Sequence, residues 1–230
     1  MIPHINHPNF GWAVTAEDIA AVQGEKFFEV YNGHPLVHNL GDSVYTSTER
    51  MWDIVLALRL ARGEDLIYGI AVDDAHHYVG SGPQLAAPGR GWVVVKGGSD
   101  LTARAIIDSL ETGAFYASTG VQLEDILVDD QAMTVLVHSE QGITYRTQFI
   151  GTLAGADTTG TAVDGQTATR RYAESIGLVL AEFVGTSAAY TFTGNELYVR
   201  AKVTSTAPVS NPVTADEVQV AWVQPVLVHR

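Results

Sequence analysis

From Val121 to the C-terminus no stretch carries the three-to-four-residue apolar spacing of a helix, and this confines the second half of the chain to β structure. The runs "DILVDDQAMTVLVHS", "ITYRTQFIGT", "GLVLAEFVGT", "AAYTFTG", "ELYVRAKVTST" and "EVQVAWVQPVLV" are short, β-branched and aromatic. Gly, Asp, Asn and Pro turns separate them, and "DDQ" and "GNE" have the composition of hairpin connections. Such a series predicts an antiparallel, sandwich-like domain over residues 121–230. "LAGADTTGTAVDGQTATRR" is rich in Gly and Thr and reads as an exposed loop.

Residues 1–120 follow a different pattern. "FFEVYN" (Phe27–Asn32), "LIYGIAVDD" (Leu66–Asp74) and "GWVVVKG" (Gly91–Gly97) are continuous apolar runs, the signature of strands covered on both faces. Helical stretches lie between them. "TAEDIAAVQG" has Thr15 as its N-cap, acidic residues in its first turn and Gly24 past its end. "TERMWDIVLALRLARG" places Met51, Trp52, Val55, Leu58 and Leu60 on a broad apolar face and stops at Gly63. "DLTARAIIDSLETG" ends in the same way at Gly113. Alternating strands and helices predict an α/β layer or barrel.

Charge and composition narrow the chemistry. The 230 residues hold 26 acidic and 13 basic side chains, a formal charge of −13. Phosphate backbones repel such a surface unless its cations cluster, and here they are scattered, so no nucleic-acid partner is expected. There is no cysteine, which leaves His, Asp, Glu and water as the ligands for any metal. No apolar run approaches the roughly 20 residues of a membrane span. The N-terminus has neither a basic segment nor an apolar core, so neither a membrane partner nor a signal peptide is expected.

The histidines carry the functional signal. In α/β sheets, ligands bind at the carboxyl ends of the strands. "HINHP" puts His4 and His7 in one turn, "FFEVYNGHP" carries Glu29, and "GIAVDDAHHY" ends an apolar strand in Asp73, Asp74 and His76. The D-x-H spacing points Asp74 and His76 the same way. Imidazoles with a carboxylate suit Zn, Mn or Fe. His34 and His38 flank a Pro-containing loop and are open to either role, whereas His77, His138 and His229 read as structural.

The segments "HINHPNFGW", "FEVYNGHP", "WDIVLALRLARGEDLIYGIAVDDAHHY", "PGRGWVVV" and "GAFYASTGV" resemble the later part of PHP-domain proteins, the polymerase and histidinol phosphatase superfamily. Their closest likeness is to its stand-alone metal-dependent phosphoesterases, and "ELYVRAKV" with "VQVAWVQPV" resembles the β extension that follows the barrel there. The resemblance implies a partial, distorted α/β barrel over residues 1–120, followed by the β-sandwich-like domain. It also implies a divalent metal cofactor (Zn, Mn or Fe) and a small-molecule phosphate ester as substrate. It carries His7 over as the ligand of the HP motif, and Asp74 and His76 as ligands of the final D-x-H. His4 and Glu29 are further candidate ligands. Asp73 is a candidate for handling the proton, and Arg90 in "PGRGW" for holding the phosphate.

The family's opening H-x-H and S-D-G segments do not occur. The first barrel strands are therefore expected to be missing, and an open sheet edge of that kind predicts a homo-oligomer. The competing expectation is a non-catalytic PHP scaffold whose β domain binds a partner or glycan through Tyr190, Phe192, Tyr198 and Trp222.

Overall fold

Local signals set the helices. In the computed structural model, which describes residues 2–80, 82–98, 101–166 and 169–228, α1 (Ala16–Ala21) starts in a capping box between Thr15 and Asp18. Strand β1 (Phe27–Asn32) follows, then α2 (Thr48–Ala61), capped by Ser47. Next come β2 (Tyr68–Val72), β3 (Trp92–Val95), α3 (Ala103–Glu111, capped by Thr102) and β4 (Phe115–Ser118). The remainder is strands: β5 (Leu123–Val128), β6 (Ala132–Val137), β7 (Tyr145–Leu153), β8 (Thr161–Ala162) and β9 (Arg170–Arg171). The last four are β10 (Leu178–Val184), β11 (Ser187–Thr191), β12 (Glu196–Pro208) and β13 (Val218–Leu227). No helix among the described residues is long and apolar enough to cross a membrane.

The strands form a six-stranded antiparallel sheet in the order β10-β7-β12-β13-β4-β3 and a three-stranded sheet β11-β6-β5. A parallel pair β1-β2 and the short pair β8-β9 complete the set. The expected partial α/β barrel is overturned. The chain is 37% strand and 13% helix, and its sheets are mostly antiparallel with no closed or part-closed barrel. Only β1 and β2 run parallel as named strands. The run "WVVV" leaves them and pairs antiparallel with β4, Val93 opposite Ala117 and Val94 opposite Tyr116. An apolar run specifies a strand but not its neighbour, and here the longer antiparallel sheet captured it. With no barrel to close, the argument for a second copy from an open barrel edge falls as well.

Strand β12 organises the core because both its faces are buried. Val199, Ala201 and Val203 point toward the three-stranded sheet, where with Phe149 of β7 they join one core with Met133 and Val135 of β6. On the opposite face Tyr198 and Arg200 reach Asp53 of α2, and Lys202 reaches Glu49. The period of two thus sandwiches the large sheet between α2 on one side and β11-β6-β5 on the other. Two of the aromatics proposed for a binding surface are spent in this packing: Tyr198 and Trp222 are buried. Tyr190 stacks on Phe149 and donates its hydroxyl to Glu196 at 2.5 Å.

Candidate functional site

Three parallel segments end at one edge of the molecule. Ile5 bridges in parallel to β1, with its N–H donating to the Phe27 carbonyl at 3.0 Å and its carbonyl accepting from Glu29 N–H at 3.1 Å. Strand β1 pairs in parallel with β2. The turns after these segments therefore gather at their carboxyl ends, where α/β sheets place their ligands. They bring His7, His34, Asp74 and His76 together, and Asn32 at the end of β1 and His4 just before the bridge join them through Asp74 and Glu29.

Glu29 and Asn32, both buried, hold the cluster from below. Glu29 Oε1 lies 3.1 Å from His4 Nε2, and its Oε2 accepts from the His7 backbone N–H at 2.6 Å and from Asn32 Nδ2 at 2.8 Å. The same Asn32 Nδ2 lies 3.2 Å from Asp74 Oδ2, and Asn32 Oδ1 accepts from His34 N–H at 2.8 Å. The Asn32 amide thus joins the ends of β1 and β2, and Glu29 ties in the His7 turn. Asn32 was not singled out in the sequence, because an asparagine at a strand end reads equally well as a turn residue. Replacing it with aspartate sets a buried third carboxylate against Glu29 and Asp74. Asn32→Asp is expected to cost about 2–4 kcal/mol at neutral pH. Both burial and like charge raise the folded-state pKa of such a group. The loss relative to the native protein should shrink as pH falls and the new group protonates, which melting curves at pH 7 and pH 5 would read.

Two of the predicted ligands sit on strained backbone. His7 has φ of 25° and Asp74 has φ of 49°, a region that side chains other than Gly rarely adopt. His76 Nδ1 lies 2.7 Å from the Asp74 carbonyl oxygen. A carbonyl only accepts, so Nδ1 carries a proton, and a neutral His76 keeps its lone pair on Nε2. His34 is the reverse case: its Nδ1 accepts from Leu36 N–H at 3.2 Å, so a neutral His34 carries its proton on Nε2. Its ring meets His76 edge-on at 5.5 Å and Phe10 at 6.1 Å. Burial lowers the His34 pKa; Asp74 opposes the shift, while His76, His7 and His77 reinforce it. His4 moves the other way, raised by its hydrogen bond to Glu29 against a smaller burial penalty.

Two sequence-predicted residues are held elsewhere. Asp73 Oδ1 accepts from the N–H groups of Arg90 and Gly91 at 2.6 and 2.9 Å, and its Oδ2 from Gly89 N–H at 2.9 Å. It pins a turn and is not a free base. Arg90 is 0% exposed, and its guanidinium donates to the carbonyls of Gly33, Gly82 and Asn211 at 2.7, 3.0 and 3.0 Å. It cannot reach a phosphate. His77 Nδ1 accepts from Ala86 N–H at 3.3 Å, and His38 stacks on Trp12 at 4.6 Å. His138 is exposed at the end of β6, and His229 lies outside the described residues.

The donor set fits a divalent ion in its chemistry. His7, Asp74 and His76 supply two imidazoles and a carboxylate, and the tautomer of His76 leaves its Nε2 available. As the side chains stand, no three His, Asp or Glu groups among the described residues converge to hold an ion. Comparison of the chain with protein-family models, with curated proteins and with solved structures gives no match.

Proposed function

We propose that this cluster is the site of a metal-dependent hydrolase that cleaves phosphate esters of low charge, diesters or triesters. The gathering of His7, His34, Asp74 and His76 at the ends of parallel segments, with the His76 Nδ1–H tied to a carbonyl, carries the reading. Its local sequence resemblance to the PHP phosphoesterases supports the same chemistry without the barrel. His7, Asp74 and His76 would hold the ion. When bound, it supplies a water of lowered pKa and polarises a phosphoryl oxygen.

The chain's own groups do the rest. Asn32 orients Asp74, and Glu29 fixes the His7 turn through its backbone N–H. His34, kept neutral near pH 7 by its lowered pKa, offers Nε2–H to a phosphoryl or leaving-group oxygen. Arg90 is locked in its carbonyl cage, so its guanidinium makes no direct contact with a phosphate at the cluster. A dianionic monoester is therefore disfavoured. Phe10 and Leu36, 43% and 61% exposed, flank the cluster and suit an apolar ester substituent.

The test is metal content and hydrolysis measured on the same preparations. Native protein is expected to retain about one equivalent of Zn, Mn or Fe per chain and to hydrolyse bis(4-nitrophenyl) phosphate. His76→Ala should lose the metal and lower kcat/KM by about 100-fold or more, with an unchanged circular dichroism spectrum. Native protein that binds no metal even after reloading, or a His76→Ala variant as active as the native chain, would sink the proposal.

A further inference from the structure

The two sheets of the β half do not close over one another along their whole length. At the β3-β4 end of the six-stranded sheet, β5 stands off and leaves a cavity of about 440 Å³ open to solvent. One wall is formed by Val94, Tyr116 and Val226, the other by Leu123, Ile126 and Val128. Val94, Leu123, Ile126 and Val226 are only partly buried against the core of the sandwich. Sandwich edges usually fill such a gap with side chains, and a volume on the order of 300–1,000 Å³ with apolar walls is the scale of small-molecule sites. The cavity lies apart from the histidine cluster: it is lined by none of the cluster's residues.

The rim decides what kind of molecule suits it. Its charged side chains are Lys96, Glu124 and Asp125. Lys96 is neutralised by Asp125 at 3.1 Å. Glu124 has no hydrogen-bond or ion-pair partner among the described residues, so the mouth carries a net negative charge. The Gln224 amide is closed on Gly69, donating to its carbonyl at 2.8 Å and accepting from its N–H at 2.9 Å. The Tyr116 hydroxyl accepts from Leu123 N–H at 3.0 Å and donates to no described residue. Apolar walls and an acidic mouth define the complement of a hydrophobic amine.

We propose that this cavity binds a small, predominantly apolar molecule bearing one positive charge, its apolar body between β5 and β13 and its cation beside Glu124. The probes are 4-phenylbutylamine and, with the same skeleton, 4-phenylbutyrate, each titrated into the full chain by heteronuclear NMR. The amine is expected to shift residues of β3, β4, β5 and β13 and to bind about ten-fold tighter than the carboxylate. Glu124→Lys should reverse that order. Val226→Phe, which fills the cavity, should abolish binding of both. Because Val226→Phe can disturb the core, Val128→Trp serves as the second occluding variant, at a position already largely exposed. Absence of binding to the native chain, equal affinity for the two probes, or unchanged binding in a folded Val128→Trp variant would each overturn the proposal. Amine binding whose shifts lie outside these strands would overturn it too, as simple attraction to an acidic surface.

Discussion

Replacing Asp53 with alanine is expected to cost about 3–5 kcal/mol of folding stability, read as a lower unfolding free energy in a urea titration. Asp53 lies on α2, yet its partners are on β12. Its Oδ1 accepts from Tyr198 Oη and Arg200 Nε, each at 2.8 Å, and its Oδ2 from Arg200 Nη2 at 2.7 Å. Arg200 is 1% exposed, and its guanidinium stands 4.9 Å over the Trp52 ring. Removing the carboxylate strands a buried cation and a buried hydroxyl together. In the native protein burial, and then the Asp53 charge, hold the Tyr198 hydroxyl's pKa well above its ordinary value, so it stays a neutral donor to Asp53. The double variant Asp53→Ala/Arg200→Met should recover much of the loss, because an apolar replacement removes the unpaired charge. If Asp53→Ala unfolds within about 1 kcal/mol of the native protein, the contact between α2 and the large sheet is not held by this pair.

Arg90→Ala should cost a comparable amount, about 3–5 kcal/mol, because three carbonyls lose a donor that is itself fully buried and a cavity is left in its place. The side chain fits only because residue 33 is glycine: a Cβ there would stand 2.7 Å from the Arg90 Cβ. Arg90→Lys should rescue little, since a single ammonium cannot span three diverging acceptors as the guanidinium fork does. The measurement separates two roles. A structural Arg90 gives a large fall in melting temperature. A phosphate-binding Arg90 would leave stability intact and raise KM, and that outcome would contradict the buried geometry.

The grouping of several candidate residues was legible from residue spacing. "HINHP", "EVYN" and "DxH" each end an extended segment, and parallel segments that start in register bring their ends together. That is why His7, Asp74 and His76 lie at one edge, and the Glu29 side chain, from inside β1, ties His4 and the His7 turn to it. The roles of Asp73 and Arg90 were not legible. Asp73 is adjacent to Asp74 and chemically identical, and only the turn at Gly89–Gly91 directs one carboxylate to backbone N–H groups and leaves the other at the cluster. His34 and Asn32 gain their places from the path of the loop after β1, which Asn39 closes by bonding Asn32 through both its backbone groups.

Helix starts and stops belong to local chemistry. Thr15, Ser47 and Thr102 cap from a few atoms away, and Gly63 and Gly113 end their helices at positive φ whatever the rest of the chain does. The sequence by itself therefore determined where most elements lie, and that the second half is antiparallel β. Partner choice was decided by the tertiary structure. The run "WVVV" is equally apolar beside β2 in a parallel layer or beside β4 at the edge of the large sheet, and it took β4. The difference lies in distant residues: β13, about a hundred positions later, pairs with β4 and extends the sheet that β3 joins. Side-chain period is a property of a few consecutive residues, whereas strand pairing is a free-energy comparison among surfaces far apart in the chain. That comparison produced an antiparallel sheet of six strands where a partial α/β barrel was expected.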